Sequence, residues 1–541
     1  MRSFAPLVCC VLVFAAIGPH IAVGQASPAG TTASRPAEPS IHAVYPDPLA
    51  GGDRGEFVVL DVPDGIDIGQ YAITDGDGTA GIPNTDARGR VVFSTAPNRT
   101  RELTDWPVVG LDGHLALANG GERVRLQRAN QTVDAVRYTE AVEGELGVVN
   151  GSVIRWRPLG ATDRPVIRAA GGEVQAFTLP DSPDAPMQPI RNATERVYLA
   201  GYTLSSARVA DALIAAQRRG ATVRVLLEGE PVGSRTAPEA RTLDRLTDAG
   251  VSVRVLTGSR ARYRYHHAKY AVADGRAVVL TENWKPAGTG GNSSRGWGVV
   301  TSQRRVVDGL HQTFRSDAGW QDSVRWGEYR RGRQFEQGEP ATGSYPKEFE
   351  AESVSVQRTD LLVTPDNAQG ELVATIGDAD DSIDVIQPTV GDWESPLLRA
   401  LRRAASRGVE VRLLLSDAWY VREENTQTAQ RFQEWADRND APLTAKVADP
   451  DGRYEKVHAK GAVIDDERVV VGSLNWNEAA ATSNREVVLV LHGRDAADYF
   501  GAVFDADWDA GGFDTPVGVI GALVGLLVVV GLAARRVSFE A

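Results

Sequence analysis

The sequence predicts an α/β protein built from two tandem copies of one domain, preceded by a β-sandwich and followed by a single transmembrane helix. Three observations predict it: a long segment that repeats at a nearly constant offset, short alternating strands with turn residues ahead of it, and an uncharged apolar run at the C-terminal end. At 541 residues and 42% hydrophobic, the chain can bury several separate cores. Its net charge is −13, and only six of its 58 basic residues are lysine: Lys269, Lys285, Lys347, Lys446, Lys456 and Lys460. Such a balance argues against a protein that holds nucleic acid through a broad basic surface, so an anionic substrate must meet a local positive site.

The first element, residues 1–24, reads as a secretory leader. Arg2 precedes an apolar core from Phe4 to Ile17, and Ala22-Val23-Gly24 supplies a small-residue cleavage site. Both cysteines, Cys9 and Cys10, fall inside it, so the mature chain has none and disulfides and thiolate metal sites are excluded. Residues 39–142 follow with the alternating runs EFVVLDV, QYAITD, RVVFST, HLALAN, ERVRLQR and VDAVRYT, separated by Gly, Pro, Asn and Asp. That rhythm predicts a β-sandwich. The stretches IHAVYPDP, IGQYAITDGDG, LALANGGERVRL and VDAVRY resemble the lamin-tail domain. The resemblance implies an immunoglobulin-like sandwich, here a binding or spacing module because it holds no catalytic cluster.

The duplication comes next, as residues 150–325 and 359–512 joined by a polar linker at 326–358. FTLPDS matches LVTPDN, LIAAQRRGATVRVLLEG matches LRRAASRGVEVRLLLSD, and each copy closes with Phe and Asp three apart, Phe314 with Asp317 and Phe504 with Asp507. In the second copy SIDVIQPTV is strand-like, and Ser395-Pro396 supplies a helix start with Ser as N-cap and Pro at N1. Leu397, Leu398, Leu401, Ala404 and Ala405 form the apolar face, and Gly408 ends the helix before VEVRLLL. Strand, helix and strand in that order give a parallel βαβ unit. Finally, residues 516–534 are long enough to cross a bilayer, and Arg535-Arg536 after them place the short tail in the cytoplasm and the bulk of the chain outside.

The candidate chemistry lies in HHAKYAVADGRAVVLTENW and VHAKGAVIDDERVVVGSLNW, which occupy the same place in the two copies. Residues i and i+2 of a strand share a face, so His267 projects with Lys269 and His458 with Lys460. A turn at Asp274 or Asp465 then returns the chain, bringing Thr281 and Asn283, or Ser473 and Asn475, to the same end. Asp274 and Asp465 fall on the opposite face and are expected as turn residues. His266 reads as a bystander, and Trp284 and Trp476 as core. Two lysines and two asparagines can stabilise the oxygens of a phosphodiester as charge rearranges, while one imidazole attacks phosphorus and the other protonates the leaving oxygen. Neither cofactor nor metal is expected.

The pattern His-x-Lys, four residues, Asp, six residues, Gly-Ser-x-Asn is complete at His458, Lys460, Asp465, Gly472, Ser473 and Asn475, and it resembles the phospholipase D superfamily. The resemblance implies one active site shared by both copies, a phosphohistidine intermediate, His267 as the nucleophile, and Glu486 as a carboxylate that orients a catalytic histidine. The first copy departs from the pattern. LTEN stands in place of GSLN, and Gly296 falls where Glu486 does, leaving no orienting carboxylate identified there. The expected activity is a membrane-anchored, outward-facing phosphodiesterase acting on phospholipid, with no obligate protein partner. Alternatives are an extracellular nuclease and a surface binding protein whose duplicated domain has weakened.

Overall fold

The computed structural model describes residues 38–48, 55–151, 153–159, 162–258, 261–338 and 341–510. The proposed leader at 1–24 and the proposed span at 516–534 lie outside them. Among the described residues no helix is long and apolar enough to cross a membrane.

Two antiparallel-rich sheets form the N-terminal sandwich. One contains Ser40–Tyr45, Phe57–Val62, Gly89–Ser94, Val108–Gly110, Glu145–Asn150 and Val153–Pro158, and the other Tyr71–Thr74, Thr79–Gly81, Asp112–Gly113, Arg123–Arg128 and Gln131–Arg137. Ile41, Val58, Leu60, Ile73, Val91, Val124 and Leu126 fill the space between them, as alternating strands must when one face of each sheet is buried. Two expectations shift. The strands at 145–158 belong to this sheet, so the sandwich runs past 142 and into the segment assigned to the first repeat. HLALAN forms no strand: Leu115 and Leu117 are buried, but the Ala116 and Leu117 N–H groups donate to Asp75 and Glu56 carboxylates instead of a neighbouring strand.

The two repeats share one 16-stranded mixed sheet. Each half contributes a parallel group, Arg196–Gly201 with Thr222–Glu228 and Ser252–Leu256, or Ser382–Gln387 with Glu410–Leu415 and Leu443–Val447. Antiparallel return strands complete each half, Tyr270–Ala273 with Arg276–Leu280 and Gly461–Ile464 with Arg468–Gly472. The halves meet where Ile167–Leu179 pairs antiparallel with Glu352–Val363. The expected linker therefore ends inside the sheet. Its last residues alternate, with Val354 and Val356 buried and Ser353, Ser355 and Gln357 exposed, which is a strand pattern in an otherwise polar run.

Helices cover both faces. The helix Pro396–Ser406 buries Leu397, Leu398, Leu401, Ala404 and Ala405, and Gly408 follows it with φ +100°, a left-handed value that favours glycine. Ser395 occupies the N-cap position but its side chain makes no capping hydrogen bond. In the matching helix Ala207–Arg218, the Ser206 hydroxyl does accept the Val209 N–H.

Candidate active site

The motif residues stand just ahead of their strands, in lead-ins at 267–269 and 458–460, with Tyr270–Ala273 and Gly461–Ile464 following. What holds these lead-ins is the other half of the molecule. The His267 N–H donates to the Arg485 carbonyl at 2.9 Å, and the His458 N–H donates to the Arg295 carbonyl at 3.0 Å. Ser294 and Arg295 also pair with Lys456 and Val457 in a short parallel ladder. Each histidine is thus seated on the backbone of the opposite repeat.

The imidazoles are oriented in the same reciprocal way. His267 Nδ1 lies 3.0 Å from both carboxylate oxygens of Glu486, and His458 Nδ1 stands 3.1 Å from Glu282 Oε2. Burial pushes the Glu486 carboxyl up, but the His267 ring and the Lys269 ammonium outweigh it and hold the carboxyl below its usual range. An ionised carboxylate only accepts, so the His267 proton sits on Nδ1 and the lone pair on Nε2. Glu282 is the carboxylate that the first repeat seemed to lack. It comes from LTEN, at the place of Leu474 in the second copy, and Gly296 leaves the room it needs, because a Cβ there would stand 2.3 Å from Glu282 Cγ.

Lys269 and Lys460 are fully buried, and each ammonium donates to the carbonyl of its own histidine, at 2.6 and 2.7 Å. Lys460 also reaches the Thr281 carbonyl of the other repeat at 3.5 Å. Burial lowers both amines, Lys460 to about 8 and Lys269 well below its ordinary value. Both imidazoles are lowered to about 4, by burial first; Glu486 opposes the shift at His267, and Lys460 adds to it at His458. Each histidine also feels the lysine of the other motif, which places the two imidazoles and two ammoniums in one electrostatic site.

The hydroxyls and carboxamides take separate places. Thr281 Oγ1 accepts the Trp297 N–H at 3.0 Å and Ser473 Oγ accepts the Val487 N–H at 3.0 Å. Both hydroxyls are buried, and they fasten the residue that follows Gly296 or Glu486. Asn283 lines a cavity of about 750 Å³ together with His458, Glu282, Lys285 and Lys456, and its Oδ1 is buried with no hydrogen-bond partner. Asn475 is half-buried at the equivalent place. Asp274 and Asp465 sit in turns with φ of 51° and 53°. Their carboxylates accept backbone N–H groups, from Thr194, Glu195 and Arg196 in one case and from Asp380, Asp381 and Ser382 in the other.

Several residues of the site were not singled out by their sequence context. Arg485 is buried against Asp317 of the other half at 3.1 Å and Asp366 of its own at 3.3 Å. Arg295 repeats this with Asp507 at 2.9 Å and Asp181 at 2.5 Å. The closing aspartates of the two repeats are therefore counter-ions for the arginines whose carbonyls hold the histidines. His266 is buried too: its N–H donates to Glu228 at 2.7 Å and its ring lies 3.7 Å from Asp317. Trp284 and Trp476 are buried in the cores of their halves. A signal for Glu282 existed, since the copy without glutamate at 296 carries one where the other copy has leucine. Four of the six lysines, Lys269, Lys285, Lys456 and Lys460, lie in the site or its cavity.

A duplicated mixed sheet with a His-Lys pair from each copy meeting at one site defines a pair of phospholipase D-like domains. In agreement, residues 187–318 and 372–508 match the family described as "Cardiolipin synthase, PLD-like domain". No curated protein matches the chain. Similar solved structures include phosphatidylserine synthase of Haemophilus influenzae Rd KW20, at 12% identity over 62% of this chain and 86% of that one, with a TM-score of 0.47. Polyphosphate kinase from Porphyromonas gingivalis is 14% identical over 62% of this chain and 50% of that one, with a TM-score of 0.41. The phospholipase D family member Nuc from Salmonella typhimurium is 15% identical over 29% of this chain and 97% of that one, with a TM-score of 0.25.

Proposed function

We propose that the protein is an outward-facing phosphodiesterase, held to the membrane by residues 516–534, that cleaves or transfers the phosphodiester of a phospholipid. The observation that carries this reading is the reciprocal site: two His-Lys pairs, each imidazole held against a carboxylate of the opposite repeat. His267 Nε2 attacks phosphorus, and the bond from phosphorus to the departing oxygen breaks as that oxygen takes a proton from His458. The neutral His458 then removes a proton from water or an acceptor alcohol, whose oxygen attacks phosphorus and releases His267. Lys269, Lys460, Asn283 and Asn475 stabilise the charge on the non-bridging oxygens during both steps.

A substrate anion fits this site because its negative charge raises the imidazoles and ammoniums that burial has lowered. Phospholipid is favoured over nucleic acid by the net charge of −13, which leaves positive charge only locally. In this reading the sandwich, resembling a lamin-tail domain, serves as a binding or spacing module. Turnover of the full chain against a phospholipid panel and against DNA tests the proposal. Release of phosphatidic acid or a transferred head group supports it. DNA cleavage without lipid turnover would make the protein a nuclease, and no turnover of any phosphodiester would leave a binding protein.

A further inference from the structure

Five large apolar side chains are well exposed among the described residues, and three of them lie in the two repeats: Val232, Trp419 and Tyr420, at 74%, 88% and 55%. These three occupy equivalent loops. Val232 follows the strand Thr222–Glu228, Trp419 and Tyr420 follow Glu410–Leu415, and these strands hold the same position in the two halves of the sheet. Both loops border the candidate site. The Val232 N–H donates to the Tyr202 hydroxyl at 2.6 Å, and the Tyr202 ring packs edge-on against His267 at 4.9 Å. On the other side Tyr420 lines the cavity that contains His458.

The chemistry of the second loop is specific. The rings of Trp419 and Tyr420 meet edge to face at 5.5 Å, and the Lys456 ammonium lies 5.5 Å from the Tyr420 ring. Behind them Lys456 and Lys285 line the cavity, and neither ammonium forms an ion pair or a hydrogen bond among the described residues. In a chain this acidic, uncommitted lysines beside exposed aromatics form a local anion-attracting patch with an amphipathic edge. Tryptophan and tyrosine favour the boundary between lipid head groups and acyl chains, where the ring is apolar and its polar atom stays wet. Lysine at that depth meets anionic lipid.

We propose that the loops carrying Val232 and Trp419-Tyr420 form a docking rim that seats the mouth of the active site on a phospholipid surface containing anionic lipid. The proposal rests on the phospholipid reading above and adds the surface through which lipid enters. With the rim seated, head groups face the cavity directly, so a diester reaches the histidines without leaving the interface entirely.

The test is a depth measurement on the full chain, reconstituted in vesicles of phosphatidylcholine and phosphatidylglycerol, with Cys9 and Cys10 changed to serine. Trp419→Cys carries a nitroxide label, and Val142→Cys, on the sandwich, carries the reference label. The expected result is high oxygen and low aqueous-quencher accessibility at 419, with the reverse at 142. An aqueous reading at 419 overturns the proposal. Val232→Cys provides the same measurement if the Trp419 variant fails to fold, with the same two outcomes. A label that a single-stranded oligonucleotide buries, but vesicles do not, overturns it in favour of base stacking. Depth is read without turnover, so a buried label in a chain that cleaves no phosphodiester would sustain the rim while rejecting the proposed activity.

Discussion

Glu282 occupies the space that any side chain at residue 296 would need, since a Cβ there falls 2.3 Å from Glu282 Cγ. The glutamate and the glycine are thus one coupled change. In the second repeat the carboxylate is at 486 and the matching loop position is Leu474; in the first, the carboxylate has moved to the loop and its old position is empty. Glu282→Leu is expected to reduce kcat by about 10²- to 10⁴-fold, the range for a misplaced acid-base group. Combining it with Gly296→Glu should recover a substantial part of the loss. A double variant as slow as Glu282→Leu alone would show that the two positions are not interchangeable supports for His458.

His267→Asn and His458→Asn should each abolish turnover while leaving circular dichroism and thermal unfolding close to those of the parent. Quenching a slow substrate during turnover should leave phosphorus on His267, detected by mass spectrometry. Phosphorus on His458 would reverse the roles of the two imidazoles. Near-normal activity in either single variant would reject a shared site.

The pH profile separates the free protein from its complex. Burial lowers both imidazoles to about 4 in the free protein, and the proposed reaction needs one proton on the pair, so kcat/KM should fall as pH rises above about 4. A bound phosphodiester anion favours the charged imidazole, which moves the kcat optimum to higher pH. Lys460, lowered to about 8 by burial, loses its charge above that value and adds a further alkaline fall in kcat/KM. Coincident optima for kcat and kcat/KM would contradict this account. The two acid-side values belong to the pair of histidines and not to either alone.

Arg485→Met leaves Asp317 and Asp366 buried without their main counter-ion. Removing one partner of a buried pair costs about 3–5 kcal/mol, which urea unfolding would measure directly. A loss below about 1 kcal/mol, the usual worth of an exposed pair, would mean that the two halves are joined by the central strands alone.

The histidines and lysines were legible because two short motifs recur at one offset, and the βαβ order followed from Ser395-Pro396, the apolar face at 397–405 and Gly408. Glu486 was legible by resemblance, but its partner was not: it reaches His267, 219 residues away in the chain, and no local pattern encodes such a pairing. Glu282 was hidden because its function had left the expected position. Arg295, Arg485 and the closing aspartates read as ordinary charges until the fold brings one repeat against the other. HLALAN misled for a related reason, because burial alternates there while carboxylates, and not a neighbouring strand, satisfy the backbone.

The reciprocal seating of the histidines has a consequence for how the protein is made. His267 is synthesised well before Glu486, and the carbonyl that receives its N–H belongs to Arg485, near the end of the second repeat. The first repeat, emerging alone, lacks the anchor and the carboxylate that set its imidazole. The site is therefore incomplete until the last sheet strands are in place, and a truncated product carries an imidazole that is neither aimed nor held.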